Sequence, residues 1–142
     1  MQTVKSTPNG VRAGHQSIVV NAAPADVYER WSRLENFPKF IKPLQSVQRI
    51  DDTHFSFTTL RDGREQRGVI HIVLRIPERR IAWWTISDDL GLGVVSFEPG
   101  FNQDTEITLR IRSIFNPSTL SRRLEEYLRN FKRLIEKSEP TV

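Results

Sequence analysis

Apolar residues recur at steps of three and four near the end of the chain: Leu120, Leu124, Tyr127, Leu128, Phe131, Leu134 and Ile135. That spacing stacks side chains on one face of a helix. Arg122, Arg123, Glu125, Glu126, Arg129, Lys132, Arg133, Glu136 and Lys137 fall to the other face. The pattern predicts a long amphipathic helix from Asn116 to Lys137, with Asn116 as cap, Pro117 in the first helical position and Pro140 beyond its end. Such a helix is roughly 30 Å long. It needs an apolar surface of similar length to lie against.

Upstream the period falls to two. His15–Asn21 alternates through Ile18 and Val20 and predicts a strand. Pro24 opens a short helix, as proline is tolerated in a first turn, with Val27, Trp31 and Leu34 on its apolar edge and Tyr28 beside them. Asn36-Phe37-Pro38 breaks that helix, and Pro38–Ile41 predicts one more helical turn. Strands follow over Leu44–Asp51, His54–Leu60, Glu65–Ile76, Arg80–Ser87, Val94–Phe97 and Thr105–Ser113. Asp62-Gly63 between Arg61 and Arg64 is the clearest hairpin signal, because both residues tolerate positive φ. In Glu65–Ile76 the alternation sets Ile70, Ile72, Leu74 and Ile76 inward and Arg67, Val69, His71, Val73 and Arg75 outward. In Thr105–Ser113 it sets Thr105, Ile107, Leu109 and Ile111 inward and Glu106, Thr108, Arg110 and Arg112 outward.

Hairpin-linked strands imply an antiparallel sheet with one buried face. The predicted fold is α+β: a curved antiparallel sheet of about seven strands wrapped around a long C-terminal helix, with two short helices after strand 1. Residues 1–14 read as a loose tail, 15–138 as a single domain and 139–142 as a second tail. A sheet curled around such a helix can leave a hollow between them.

Composition changes this picture little. The 142 residues are 37% hydrophobic and 27% charged, ordinary for a globular domain. No apolar run reaches the ~18 residues of a membrane span, and MQTVKSTPNG lacks a signal-peptide core. With no cysteine, disulfide and thiolate chemistry are excluded, and the expected location is the cytoplasm. A net charge of +4 only faintly favours anionic partners.

The inward positions give a candidate ligand-binding lining. It comprises Trp31, Phe37, Phe40, Phe55, Phe57, Ile70, Ile72, Leu74, Trp83, Thr85, Val95, Phe97, Ile107, Leu109, Tyr127 and Phe131. Thr59, Thr85 and Thr105 are its polar points. Small-molecule sites have this apolar and aromatic character with few orienting groups; the same residues also describe a solid core without a cavity. Candidates for acid–base work are thin. His71 and His54 alternate outward, while His15 could stand near a mouth. Tyr127 and Tyr28 are candidate hydrogen-bond donors to a ligand oxygen. No set is assigned as catalytic, with Tyr127 and His15 the nearest candidates. Asp51-Asp52 and Asp88-Asp89 read as turn carboxylates, no histidine stands at metal-ligand spacing from them, and no phosphate loop follows a strand. No metal and no cofactor are expected.

Ala23-Pro24-Ala25-Asp26-Val27-Tyr28 with Trp31, then Asn36-Phe37-Pro38-Lys39-Phe40, carry a family resemblance. Arg80-Ile81-Ala82-Trp83, Gly93, Phe97 to Pro99, Thr105, and Leu128, Phe131 and Lys132 continue it. The chain resembles the START-like (SRPBCC) superfamily with the helix-grip, birch-pollen-allergen-like fold. Within it, the chain looks like the polyketide cyclase/dehydrase and lipid-transport group, which includes coenzyme Q-binding START-type relatives. The resemblance spans nearly everything from His15 to Lys137, and implies a hydrophobic cavity for lipids, polyketides, quinones or similar ligands. One departure is a second tryptophan, Trp84, where relatives often carry a polar residue. If Trp83 points inward, Trp84 points outward, and a homodimer or a transient membrane-surface contact could use it.

Three functions are weighed on these residues. The first is a binding or carrier protein for a hydrophobic small molecule. The second is a cyclase/dehydrase-type enzyme, which needs an inward acid or base. The third is an RNA- or ribosome-interaction module, suggested by Arg67, Arg75, Arg110 and Arg112 on one sheet face. The stacking aromatics of RNA-binding sheets are missing, so nucleic acid is not an expected partner.

Overall fold

The period-two segments form one seven-stranded antiparallel sheet in the computed structural model, which describes residues 12–86, 91–113 and 117–137. Most of the expected N-terminal tail, the turn carboxylates Asp88 and Asp89, the Asn116 cap, Pro140 and the second tail lie outside the described residues. In chain order the strands are β1 (Arg12–Val20), β2 (Leu44–Arg49), β3 (His54–Arg61), β4 (Arg64–Ile76), β5 (Arg80–Ile86), β6 (Leu92–Pro99) and β7 (Thr105–Ser113). They lie side by side as β1-β7-β6-β5-β4-β3-β2. Helix α1 (Pro24–Ser32) and a 3-10 helix (Leu34–Lys39) follow β1, and α2 (Pro117–Lys137) closes the chain. Among the described residues no helix is long and apolar enough to cross a membrane.

Helix α2 buries the face its spacing predicts. Leu120, Leu124, Leu128, Phe131 and Ile135 are all buried, with Tyr127 and Leu134 packed at their margin. The helix runs along β1 and touches β7. Its C-terminal half is tied to the end of β1 through Lys132, whose Nζ donates to the Val19 carbonyl at 2.8 Å and to Glu136 at 2.8 Å. Glu136 in turn accepts the Asn21 amide at 2.7 Å. The hydrogen bond from Lys132 is the main reason the Glu136 carboxyl is held below its ordinary pKa, with the Asn21 amide adding to it.

The hairpin joining β3 and β4 has positive φ at Asp62 (51°) and at Gly63 (76°), the geometry expected of Asp-Gly in a tight hairpin turn. Asp51 organises the preceding turn: its carboxylate accepts the Thr53 amide at 2.9 Å and the His54 amide at 2.8 Å. The Thr53 amide, then the His54 imidazole at 3.0 Å, and less strongly the His54 amide lower its pKa to about 2.

Several boundaries move. β1 starts at Arg12 rather than His15, since Arg12 already pairs with Ser113. β6 starts at Leu92 rather than Val94, pairing with Trp84. The second short helix begins at Leu34 and contains Pro38. The tight ladder survives because the Asn36 amide reaches the Arg33 carbonyl and the Phe40 amide reaches that of Phe37, so proline forfeits only its own bond.

A larger correction concerns Leu74 and Ile76. β4 carries an irregularity between Ile72 and Leu74: Ile72 pairs with Trp83, but Leu74 pairs with Ala82 instead of Ile81. One extra residue reverses the parity of everything beyond it. Leu74 and Ile76 therefore leave the inner face and are about 40% exposed. Arg75 likewise parts from Arg67 and donates to the Asp52 carbonyl at 2.8 Å.

Candidate functional site

Between the sheet and the first half of α2 lies a cavity of about 470 Å³. Its floor is the inner face of the sheet: Phe57 and Thr59 from β3, Gln66 and Ile70 from β4, Trp83 and Thr85 from β5, Leu109 and Ile111 from β7. One wall is Arg123 and Tyr127 of α2, and another is Trp31 of α1 with Phe37 of the 3-10 helix. The segment from Ile41 to Leu44 borders it, and exposed Leu60, Asp62 and Lys42 mark its rim. Across the β3–β4 pair, Gly68 stands opposite Phe57. A glycine puts no side chain on the inner face between Gln66 and Ile70.

Trp31, Phe37, Phe57, Ile70, Trp83, Thr85, Leu109 and Tyr127 are brought together as the expected lining. Phe40, Phe55, Ile72, Val95, Phe97, Ile107 and Phe131 are instead buried in the closed core. There the ring of Trp31 packs against Phe131 (4.8 Å between centroids), Phe40 (5.1 Å), Phe37 (6.0 Å) and Phe97 (6.4 Å). Thr105 is not at the cavity either. It is fully buried and donates its hydroxyl to the Ala22 carbonyl at 2.7 Å, joining β7 to the turn after β1.

Trp83 keeps its place because residue 93 is glycine. A methyl group there would come 2.5 Å from the indole carbons of Trp83, which lies opposite it on β5. Thr85 presents a hydroxyl that donates to the Gly91 carbonyl at 3.3 Å and keeps its acceptor capacity. Tyr127 is half-buried; burial pushes its phenol above the ordinary value, while the hydrogen bond from Arg123 pulls the other way. It therefore stands neutral in the wall.

The assignment of Arg123 to the outer face of the helix needs correcting on this point. Arg123 precedes Tyr127 by four residues, and side chains at that spacing share a helix face. A charged residue of α2 can thus line the cavity by its spacing alone. Gln66 was also missed, although it stands two and four residues from Gly68 and Ile70 on the same face of β4. The Ile41–Leu44 border carried no periodic signal.

None of the three histidines enters the cavity. His15 is exposed on the outer face of β1, in a shallow groove with Leu92, Val94 and Arg110, which removes it from any mouth. His54 and His71 are cross-strand neighbours on the outer face, stacked at 4.4 Å and 12°. Trp84 joins them there as expected. It is 45% exposed, and its Nε1 donates to His71 Nδ1 at 2.9 Å. Among the described residues, no three His, Asp or Glu side chains come together in a group that could hold a metal ion.

Residues 20–133 match the sequence model of the family described as polyketide cyclase / dehydrase and lipid transport. An uncharacterized 17.2 kDa protein from the melC2–rnhH intergenic region of Streptomyces lincolnensis is 26% identical over 119 residues, 83% of this chain and 78% of that one. Among solved structures, a Deinococcus radiodurans protein superposes with a TM-score of 0.75 at 22% identity, covering 90% of this chain and 99% of its own. A START superfamily protein from Mycobacterium smegmatis gives 0.67 at 11%, covering 88% and 94%. The di-domain ARO/CYC StfQ of the steffimycin biosynthetic pathway gives 0.70 at 18%, covering 89% of this chain and 51% of that one. At these identities the structural likeness establishes the helix-grip fold.

Proposed function

Because the chain belongs to the polyketide cyclase / dehydrase and lipid transport family, we propose that its cavity binds a hydrophobic small molecule, such as a lipid, polyketide or quinone, and that the protein acts in the cytoplasm as a carrier or binding protein. The observation that carries this reading is the cavity itself. Its volume of about 470 Å³ falls in the range of small-molecule sites, roughly 300–1,000 Å³. Aromatic and aliphatic side chains make up most of its lining, with Thr59, Gln66, Thr85 and Tyr127 as neutral polar points and Lys42, Asp62, Arg67 and Arg123 as charged ones. Transfer of an apolar ligand into such a lining is favourable by about 25 cal/mol per Å² buried.

Mass spectrometry of an organic extract of native protein tests it. The expected result is a stoichiometric apolar molecule, displaced by excess 9-fluorenone. A bare extract, with no binding of any apolar probe, ends the reading.

A second reading, a cyclase/dehydrase-type enzyme, is favoured by one observation: the Tyr127 hydroxyl and the Arg123 guanidinium are hydrogen-bonded in the cavity wall. That pair could polarise a substrate carbonyl. Turnover of a polyketide-like substrate that drops in Tyr127→Phe would favour it over simple carriage. The exposed face around Trp84 keeps a sheet-mediated dimer in view, and light scattering decides that point.

A further inference from the structure

The bulge in β4 turns Leu74 and Ile76 onto the outer face of the sheet beside Val73, and all three are 39–50% exposed. Strand register arranges that face in rows. Leu92, Trp84 and His71 form one row, and Arg110, Val94, Ala82 and Leu74 form the next. Thr108, Ser96, Arg80 and Ile76 form a third. Trp84 and Leu92 are also exposed. Contiguous exposed apolar side chains of this kind mark a contact surface. Arg80 and Arg110 stand within the rows, and Arg112 lies two residues beyond Arg110 on the same face; all three are exposed. Among the described residues none of these arginines forms a salt bridge, and the rows hold no carboxylate.

We infer that this outer face docks on the surface of an anionic lipid bilayer. Unpaired arginines are drawn to negative headgroups, each worth about fivefold in affinity. Leu74, Ile76 and Trp84 then gain by leaving water at the acyl boundary. The Trp84 N–H is already satisfied by His71 at 2.9 Å, so the ring can leave water without stranding a donor. Other occupants suit the face less. β4, β5 and β6 are interior strands, so a peptide cannot join there by strand addition. A two-fold contact with a second copy sets the same patch on both sides, arginines against arginines. The phosphates of an RNA would meet the arginines but offer nothing to Val73, Leu74 and Ile76. The inference is independent of what the cavity holds, because the cavity lies on the other face of the sheet.

Sedimentation of the full chain with lipid vesicles tests it. Wild type should bind phosphatidylcholine vesicles that contain about 30% phosphatidylserine, should ignore pure phosphatidylcholine, and should bind less as salt is added. Arg110→Ala with Arg112→Ala should weaken binding about thirtyfold, and Leu74→Gln about fivefold. Both variants should keep the wild-type circular dichroism, since the changed side chains are exposed. Failure of wild type to bind the anionic vesicles overturns the inference without recourse to any variant. So does a folded variant of either kind that binds like wild type; for Leu74→Gln that result would leave only a charge contact. Binding of polyuridylate in place of vesicles, or a dimer in light scattering that Leu74→Gln dissolves while vesicles go unbound, overturns it as well. Fluorenone affinity is measured separately, so its failure ends the cavity reading and leaves this one standing.

Discussion

On the core side of Trp31, rings from α1, the 3-10 helix, β6 and α2 pack at 4.8–6.4 Å. Toward the β3–β4 hairpin, the same sheet and the same helix enclose about 470 Å³. The two halves share an apolar character, and hydrophobic pattern alone does not separate them. They differ in side-chain volume on the sheet. Phe55, Ile72, Phe97 and Ile107 fill the closed half, whereas Thr59, Gln66 and Thr85 stand among the lining of the open half. A core of this kind is solid where large residues face α1 and hollow where short or polar ones face α2 beyond its reach. Stability should therefore concentrate in the first half and ligand affinity in the second.

The largest expected effect tests the closed half. Phe131→Ala removes a fully buried ring that touches Trp31 and Phe40, and should cost about 3–5 kcal/mol in urea unfolding. A loss below about 1 kcal/mol would mean that this half is no better packed than the other. Next comes the seam. Gly93→Ala drives a methyl into the indole of Trp83, which belongs to the core and to the cavity lining alike. Overpacking of this kind costs about 1–3 kcal/mol, and both stability and fluorenone affinity should fall. Affinity falling alone would show that Trp83 can swing into the hollow without strain.

Substitutions within the open half should reverse the balance. Ile111→Phe adds volume at the cavity floor and should weaken fluorenone binding about tenfold, or ~1.4 kcal/mol. Its stability should change by less than about 1.5 kcal/mol, because the added atoms enter empty space. Tyr127→Phe removes one hydrogen-bonding group, worth about 0.5–1.5 kcal/mol, and should cost carbonyl-ligand affinity more than stability. Calorimetry and urea unfolding on the same preparations check both variants. If affinity survives intact in Tyr127→Phe, the helix contributes packing to the cavity and no polar contact.

These two halves were unequally visible in the amino-acid pattern. The faces of α2 and β7 could be read because period 3.6 and period two are imposed on every residue of a regular element. The inward aromatic set could be read as well, but not its division into filled and empty space. That division depends on which side chains meet across strands and helix, which alternation within one element does not encode. Leu74 was misplaced by one bulge residue, a local event that leaves the alternation in the sequence untouched. Arg123 reaches the cavity despite its charge, because its four-residue spacing from Tyr127 puts both on one face.

The smallest effect separates the halves by pH. Glu136 anchors the closed half, accepting from Lys132 and from the Asn21 amide, and its pKa is lowered chiefly by Lys132. A carboxyl whose folded pKa lies below its unfolded one stabilises fully above the unfolded value, and that contribution is lost as pH falls through the folded one. Urea midpoints should therefore decline below the ordinary glutamate range. Asp51, lowered to about 2 at an exposed turn, extends the decline to more acidic pH. Lys132→Met removes the hydrogen bond that chiefly lowers the Glu136 carboxyl and should flatten the upper part of the profile, leaving the part due to Asp51. Because this side chain is partly exposed, solvent screening keeps the effect small. Fluorenone affinity in Lys132→Met should match wild type, since the bond from Lys132 to Val19 lies at the far end of α2 from Arg123 and Tyr127. A parallel loss of affinity would show that the two halves of the grip are coupled through the helix rather than independent.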